Sequence, residues 1–243
     1  MKRFIKEKIN HLSRRLGFEI KRFNAVSSKF SRVHKFFSDY KFDTVLDVGA
    51  YVGTYAKYLR ELGFDGRIIS FEPLSEVYPK IVEHSKKDIN WIVAPRMALG
   101  AEDGIKSINI AANYTSSSIL EMEDSHLLGS PESIFVGSEM IRVFKLDNVA
   151  GNFIKPENVV FLKLDVQGYE LEVLEGAHKT LPFIKGLQIE ISIEPLYKNQ
   201  LIFNEMLNYV EQLGYELWDM QPCFWDKLTG KLLQFDGIFL RNF

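Results

Sequence analysis

The sequence predicts an α/β fold: one mostly parallel sheet with helices on both faces and an antiparallel hairpin at its C-terminal end. Three observations predict it. Strand-length apolar runs alternate with helical periodicities along most of the chain, the pattern of a parallel sheet covered on both sides. The stretch VLDVGAYVGTYAKYLRELG, residues 45–63, reads as a buried strand, a glycine turn and a helix. The last two strand-like runs, 214–219 and 235–241, have Pro222, a Gly230 turn and several aromatics between them and no helical pattern, which predicts a hairpin.

The elements follow in order. Ile5, Ile9, Leu12 and Leu16 lie at i, i+4, i+7 and i+11 on a basic segment stopped by Gly17, one apolar stripe on a helix. A second helix is predicted over 28–39, leading into the first strand. Residues 1–40 are therefore read as a basic helical arm and 41–243 as the domain. Strands are predicted at 44–48, 67–71, 90–94, 105–110, 139–145, 158–164 and 186–193, besides the final two. Helices are predicted at 54–63, 75–86, 169–176 and 199–213. Residues 111–137, rich in Ser, Asn, Gly and Glu, read as a long loop, and loops of that length are functional lids or disordered.

Composition bounds the class. The chain has 243 residues, 46% hydrophobic and 26% charged, ordinary for one globular domain with a full core. No apolar run approaches the length of a membrane span, and the N-terminus lacks a signal peptide's apolar core and cleavage site. The single cysteine, Cys223, allows no intrachain disulfide, and no Cys/His spacing suggests zinc. A cytoplasmic protein is expected. Net charge is −2, but residues 1–35 hold eleven Lys/Arg against Glu7 and Glu19, a net +9 that leaves −11 for the rest. Such asymmetry points to an arm with its own partner. A docked helix, a dimer contact, the inner face of an anionic membrane and nucleic acid are all open to it.

The first strand carries the chemistry. Asp47 sits near its carboxyl end, where open α/β sheets bind ligands. Gly49 and Gly53 flank the turn, and Glu72 ends the next strand in IISFEP. Glycines let the backbone approach a nucleoside, and an acid at the tip of strand two accepts hydrogen bonds from ribose hydroxyls. A dinucleotide fingerprint needs glycine at 49, 51 and 54; here those positions are Gly49, Tyr51 and Thr54. A strand–turn–helix without a ligand would account for Gly53 by packing, but not for Asp47 and Glu72 together.

Two central strands contain polar residues where a doubly covered sheet should have none. In VVFLKLDVQGYE, Lys163 and Asp165 share a face. In GLQIEISIEP, Gln188, Glu190, Ser192 and Glu194 alternate with Leu187, Ile189, Ile191 and Ile193. If the strands are neighbours, Lys163, Asp165 and Glu190 meet near the carboxyl edge. Burying an unpaired charge costs several kcal/mol, so these groups are paired, near water or bound to a ligand. A structural Lys163–Glu190 pair is the plain alternative. His126, in the long loop, is a spare base, though a lone loop histidine is commonly just solvated.

The string Asp-x-Gly-x-x-x-Gly resembles the first motif of class I S-adenosylmethionine-dependent methyltransferases. LDVGAYVGTYA (46–56), SFEP (70–73), ALG (98–100), IRVFKLDNV (141–149) and LKLDVQGYELEVLEGA (162–177) together resemble the FkbM-type methyltransferase family. The resemblance implies a single Rossmann-like domain with a mostly parallel seven-stranded sheet and O-methylation, often of a sugar hydroxyl. It implies that Asp47, Gly49, Ala50, Tyr51, Gly53, Glu72, Pro73, Ala98 and Ser117 surround S-adenosylmethionine. Ser117 belongs to Ser116-Ser117-Ser118, which resembles a serine pair the family has over the cofactor. Asp165, Glu190 and Lys163 are the catalytic candidates, with Asp165 as general base, or with Asp165 and Glu190 as ligands of a magnesium ion that would acidify a diol. The acceptor implied is a glycan or other small molecule, with no nucleic acid. A non-catalytic scaffold of the same fold, or a nucleic-acid methyltransferase using the basic arm, are the alternatives.

Overall fold

The computed structural model describes residues 23–241, together with His11, Ser13, 15–18 and Ile20. Of the predicted N-terminal stripe only Leu16 is among them, and it is exposed; Ile5, Ile9 and Leu12 lie outside the described residues.

Helix α1 (Lys29–Tyr40) opens on Ser28, whose hydroxyl accepts from the Ser31 N–H (3.3 Å), and stops at Lys41 in the left-handed region. It buries Val33, Phe36 and Phe37 in one core with Phe42, Leu59 and Phe161. The Phe37 and Phe161 rings stand 4.9 Å apart. Residues 29–40 thus belong to the packing of the domain and not to a separate arm, because three buried apolar side chains tie them to the sheet.

The main sheet has seven strands in the order β3-β2-β1-β7-β8-β10-β9. They are β1 (Thr44–Val48), β2 (Arg67–Phe71), β3 (Trp91–Val93), β7 (Val160–Leu164), β8 (Ile184–Ser192), β9 (Tyr215–Trp225) and β10 (Leu232–Arg241). All neighbours are parallel until β10, which runs antiparallel to both β8 and β9. Helices α2 (Thr54–Glu61), α3 (Tyr78–Ser85), α6 (Glu170–Glu175) and α7 (Phe203–Gln212) make the connections. The chain leaves β1 toward β2 and β3 and resumes on β1's other side at β7. The switch point, with its crevice at the strands' carboxyl ends, therefore lies between Asp47 and Asp165.

The predicted strands at 105–110 and 139–145 exist but stand apart from this sheet. With β4 (Ala98–Leu99), which the sequence did not reveal, β5 (Gly104–Ala111) and β6 (Phe135–Phe144) form a three-stranded sheet, ordered β4-β6-β5. Much of β5 is exposed, which a central strand of a covered sheet could not be. The stretch expected as a loop is anchored. It contains α4 (Asp124–Gly129), Ser118 N–H donates to Asn109 O (3.1 Å), and Glu123 N–H donates to Leu196 O (2.9 Å). A further single turn, α5 (Leu146–Val149), leads toward β7. No helix among the described residues is long and apolar enough to cross a membrane.

Candidate active site

The turn after β1 is built by close approach. Gly49 has φ +78°, and a Cβ there would fall 1.8 Å from the Asp165 carbonyl oxygen; only hydrogen fits between the ends of β1 and β7. Tyr51 also has positive φ, 50°, and its N–H donates to Glu72 Oε2 (2.9 Å). Leu74 N–H donates to Glu72 Oε1 (2.8 Å). Glu72 is thereby clamped between two backbone donors, and burial pushes its carboxyl up to about 7 although both donors oppose the shift. Gly53 has a different task. Its φ is +80° and a Cβ would meet the Trp91 indole at 2.1 Å, so this glycine lets α2 settle on the sheet.

A mostly apolar pocket opens beyond the turn. Gly49, Tyr51, Glu72, Pro73, Ala98 and Ser117 line it, and so does Asp165. Asp47, Ala50 and Gly53 do not. Asp47 is fully buried beneath the turn, where the Ser70 hydroxyl donates to Oδ2 (3.3 Å). Burial raises its carboxyl above the ordinary range, with Lys163 opposing. Ala50 faces a neighbouring cleft. Sequence reasoning missed much of the apolar wall, which includes Met97, Leu99, Ile108, Ile119 and Tyr169. These residues come from four separate segments, and only the fold brings them onto one wall.

The polar residues of β7 and β8 do meet, with different partners from those expected. Lys163 Nζ donates to Asp165 Oδ2 (3.1 Å), lies 3.4 Å from Asp47 Oδ1 and sits 5.2 Å from the centre of the Tyr55 ring. Burial alone would lower its pKa; Asp165 and Asp47 outweigh that and raise it. Lys163 is therefore a cation held by two carboxylates, and the Lys163–Glu190 pair does not form. Glu190 instead accepts from Gln167 Nε2 (2.8 Å) and Gln234 Nε2 (3.2 Å). Burial, with Asp165, Asp236 and Glu170 nearby, pushes its carboxyl well above the ordinary range. Gln167 Nε2 also donates to Asp165 Oδ1 (2.8 Å). The two carboxylates expected to share a cation thus share an amide donor, and the described residues contain no group of three or more His, Cys, Asp or Glu suited to a metal ion.

Gln167 owes its position to a strained turn. Its φ is +57°, the Tyr197 hydroxyl donates to its Oε1 (2.7 Å), and the Ser118 hydroxyl donates to its backbone carbonyl (2.6 Å). Neither Gln167 nor Asp236 was expected here. Asp236 pairs with Lys29 (3.4 Å) and lies opposite Glu190 in the β8–β10 register. A signal existed for it: in LLQFDGIF the polar Gln234 and Asp236 alternate with apolar residues, as in β8. His126 proves buried rather than solvated, with its ring against Tyr197 and Phe224, and burial lowers its pKa to about 4.

The family model described as the methyltransferase FkbM domain matches residues 47–217. The chain belongs to the FkbM methyltransferase domain family. The FkbM domain is an S-adenosylmethionine-dependent methyltransferase domain, and the sheet order and hairpin described above are those of a class I methyltransferase fold. The chain is 29% identical over 154 residues to the hexuronic acid methyltransferase AglP of Haloferax volcanii, a match spanning 61% of this chain and 56% of that one. It thus spans little more than half the length of that relative. Among solved structures, an rRNA methylase from Streptococcus thermophilus is 13% identical with a TM-score of 0.45, covering 88% of this chain and 96% of that one. The Methanococcus jannaschii fibrillarin pre-rRNA processing protein is 14% identical with a TM-score of 0.45, covering 83% and 68%. At that distance neither bears on function.

The pocket fits S-adenosylmethionine on its own features. Its apolar walls at Met97, Leu99, Ile119 and Tyr169 suit a purine, and the one buried carboxylate lining it, Glu72, is fixed by backbone donors where it can still accept from ribose hydroxyls. That cofactor supplies an electrophilic methyl group on a sulfonium.

Proposed function

We propose that this protein transfers a methyl group to a hydroxyl of a sugar, with Asp165 as the general base. The observation that carries the reading is the place of Asp165. It lines the apolar pocket and also two adjoining clefts, and Gly49, Tyr51 and Thr115 are shared by all three. A proton acceptor at that rim stands between a cofactor and an acceptor hydroxyl. A neutral hydroxyl is a poor nucleophile until its proton is shared. Lys163 and Gln167 hold the two oxygens of Asp165 in place by hydrogen bonds. Glu190, pushed toward its neutral form, serves as a hydrogen-bonding wall and not as a second base. Glu72 and the walls around it hold the cofactor, and Lys163 balances the charge of Asp165 and Asp47.

The sugar part of the reading is supported by the amide and carboxyl side chains among the residues lining the clefts and by the likeness to AglP, whose name gives a hexuronic acid as its acceptor. The shared amide of Gln167 favours proton transfer to Asp165 over a magnesium-bridged diol. The test is incubation of the pure protein with methyl-labelled cofactor and a panel of nucleotide sugars, free sugars including hexuronic acids, and lipid-linked glycans. Label appearing as a methyl ether on a sugar supports the proposal. Label transferred to RNA or protein, with none to any sugar, overturns it.

A further inference from the structure

The two clefts beside Asp165 are parts of one surface. The first lies against α1 and α2 and is floored by Lys163, Gln188, Gln221 and Asp236. The second lies against α4 and the end of the hairpin, and takes in Gln167, Glu190, Cys223 and Gln234. Each of three strands gives one residue to the first cleft and the next residue of the same face to the second: Gln188 and Glu190 from β8, Gln221 and Cys223 from β9, Asp236 and Gln234 from β10. Residues two apart on a strand are separated by about 7 Å, so the clefts adjoin along the sheet, with Asp165 lining both.

Each end holds a buried polar atom without a hydrogen-bond partner. At the first it is the hydroxyl of Tyr58; at the second it is Nδ1 of His126. Desolvating such an atom without a partner is costly, and the two residues that carry them line the clefts. Each end also carries aromatic rings, Tyr55 and Tyr58 at one and Phe224 at the other, beside side-chain amides and carboxyl groups. Aromatic faces with amide and carboxyl groups around them are what the apolar face and the hydroxyl rim of a sugar ring require.

From this we infer that the clefts form a single trough with a subsite on either side of Asp165, and that the acceptor is a glycan of at least two sugar residues methylated at an internal or penultimate position. The inference rests on the sugar-methylating reading and specifies its substrate. The Tyr58 hydroxyl bonds the residue on the α1–α2 side, and His126 Nδ1 accepts from a hydroxyl of the residue on the hairpin side.

The experiment compares monosaccharides with chains of two to five residues built from the same sugars, using labelled cofactor, for the native protein and for Tyr58→Phe and His126→Phe. Tyr58→Phe keeps its ring and His126→Phe puts a phenyl in place of the imidazole; each removes the orphaned polar atom, and cofactor affinity measured by calorimetry reports folding. The expected result is a kcat/KM at least tenfold higher for chains than for the matching monosaccharide, with each variant cutting that advantage about fivefold, the worth of one hydrogen bond. Monosaccharides methylated as well as chains would overturn the two-subsite trough while leaving sugar methylation standing. So would an unchanged chain-length advantage in both variants. Label on no sugar of any length would overturn the sugar reading itself.

Discussion

The two faces of the seven-stranded sheet are made by the same strands and bury different things. One face carries Leu46, Val48, Leu162, Leu164, Leu187, Ile189 and Ile191, all buried in one apolar core. The opposite face begins in the same way, with Val45, Phe161 and Ile238 packed under α1 and α2. Toward the carboxyl ends of the parallel strands it turns polar, through Asp47, Lys163, Asp165, Gln188, Glu190 and Ser192. Each full burial of an aliphatic side chain contributes roughly 1.5–3 kcal/mol, so the first face supplies stability throughout. The second gives up that contribution where ligands meet the sheet, and every charge it buries must find a partner there. The lesson is that one strand can serve both purposes, because its successive side chains point to opposite sides.

The largest expected effect breaks the polar face at its centre. Asp165→Asn keeps the shape and removes the proton acceptor, and turnover should fall by roughly 10²–10⁴-fold while calorimetry finds cofactor affinity altered far less. Equal loss of both would make Asp165 a cofactor-site or folding residue.

The apolar face should respond in stability instead. Ile189 is fully buried, so Ile189→Ala should cost about 2–5 kcal/mol, read as a lower urea midpoint. A variant that unfolds normally but loses turnover would reverse the roles assigned to the two faces.

A smaller effect concerns pH. Burial pushes the Glu72 carboxyl up to about 7, and a ribose is held best by the ionised carboxylate, which only accepts hydrogen bonds. Cofactor affinity should therefore rise as pH passes upward through about 7 and level off above it, by up to tenfold for each pH unit below that value. Glu72→Gln should bind more weakly at pH 8 and show no such rise. A flat profile in the native protein would remove Glu72 from the ribose.

The smallest effect sharpens the contrast between faces. Gln188 is buried on the polar side and accepts from the Tyr55 hydroxyl (2.9 Å). Gln188→Leu should change stability by no more than about 1–3 kcal/mol, the cost of leaving that hydroxyl unpaired, and should raise the KM for the acceptor more than it lowers stability. A loss as large as that of Ile189→Ala would mean that this part of the polar face is structural.

The sequence by itself determined what local pattern can encode. Strand and helix positions followed from apolar periodicity, with β1, β2 and β7 legible as strands and α2 and α6 as helices within a few residues. The glycine turn at Gly49, the acid at Glu72 and the buried charges at Lys163 and Asp165 stood out because strand ends and covered strands tolerate such residues only for a reason. Only the tertiary structure decided who pairs with whom. Lys163 turns to Asp47 because β1 and β7 are adjacent and in register, Asp47 opposite Lys163. Glu190 is left to Gln167 and Gln234, brought in by a positive-φ turn and by a hairpin strand more than forty residues away. The second sheet and the apolar wall of the pocket were equally out of reach. Their contacts join segments far apart in the chain, and a residue's type constrains its own conformation much more tightly than it constrains a distant neighbour.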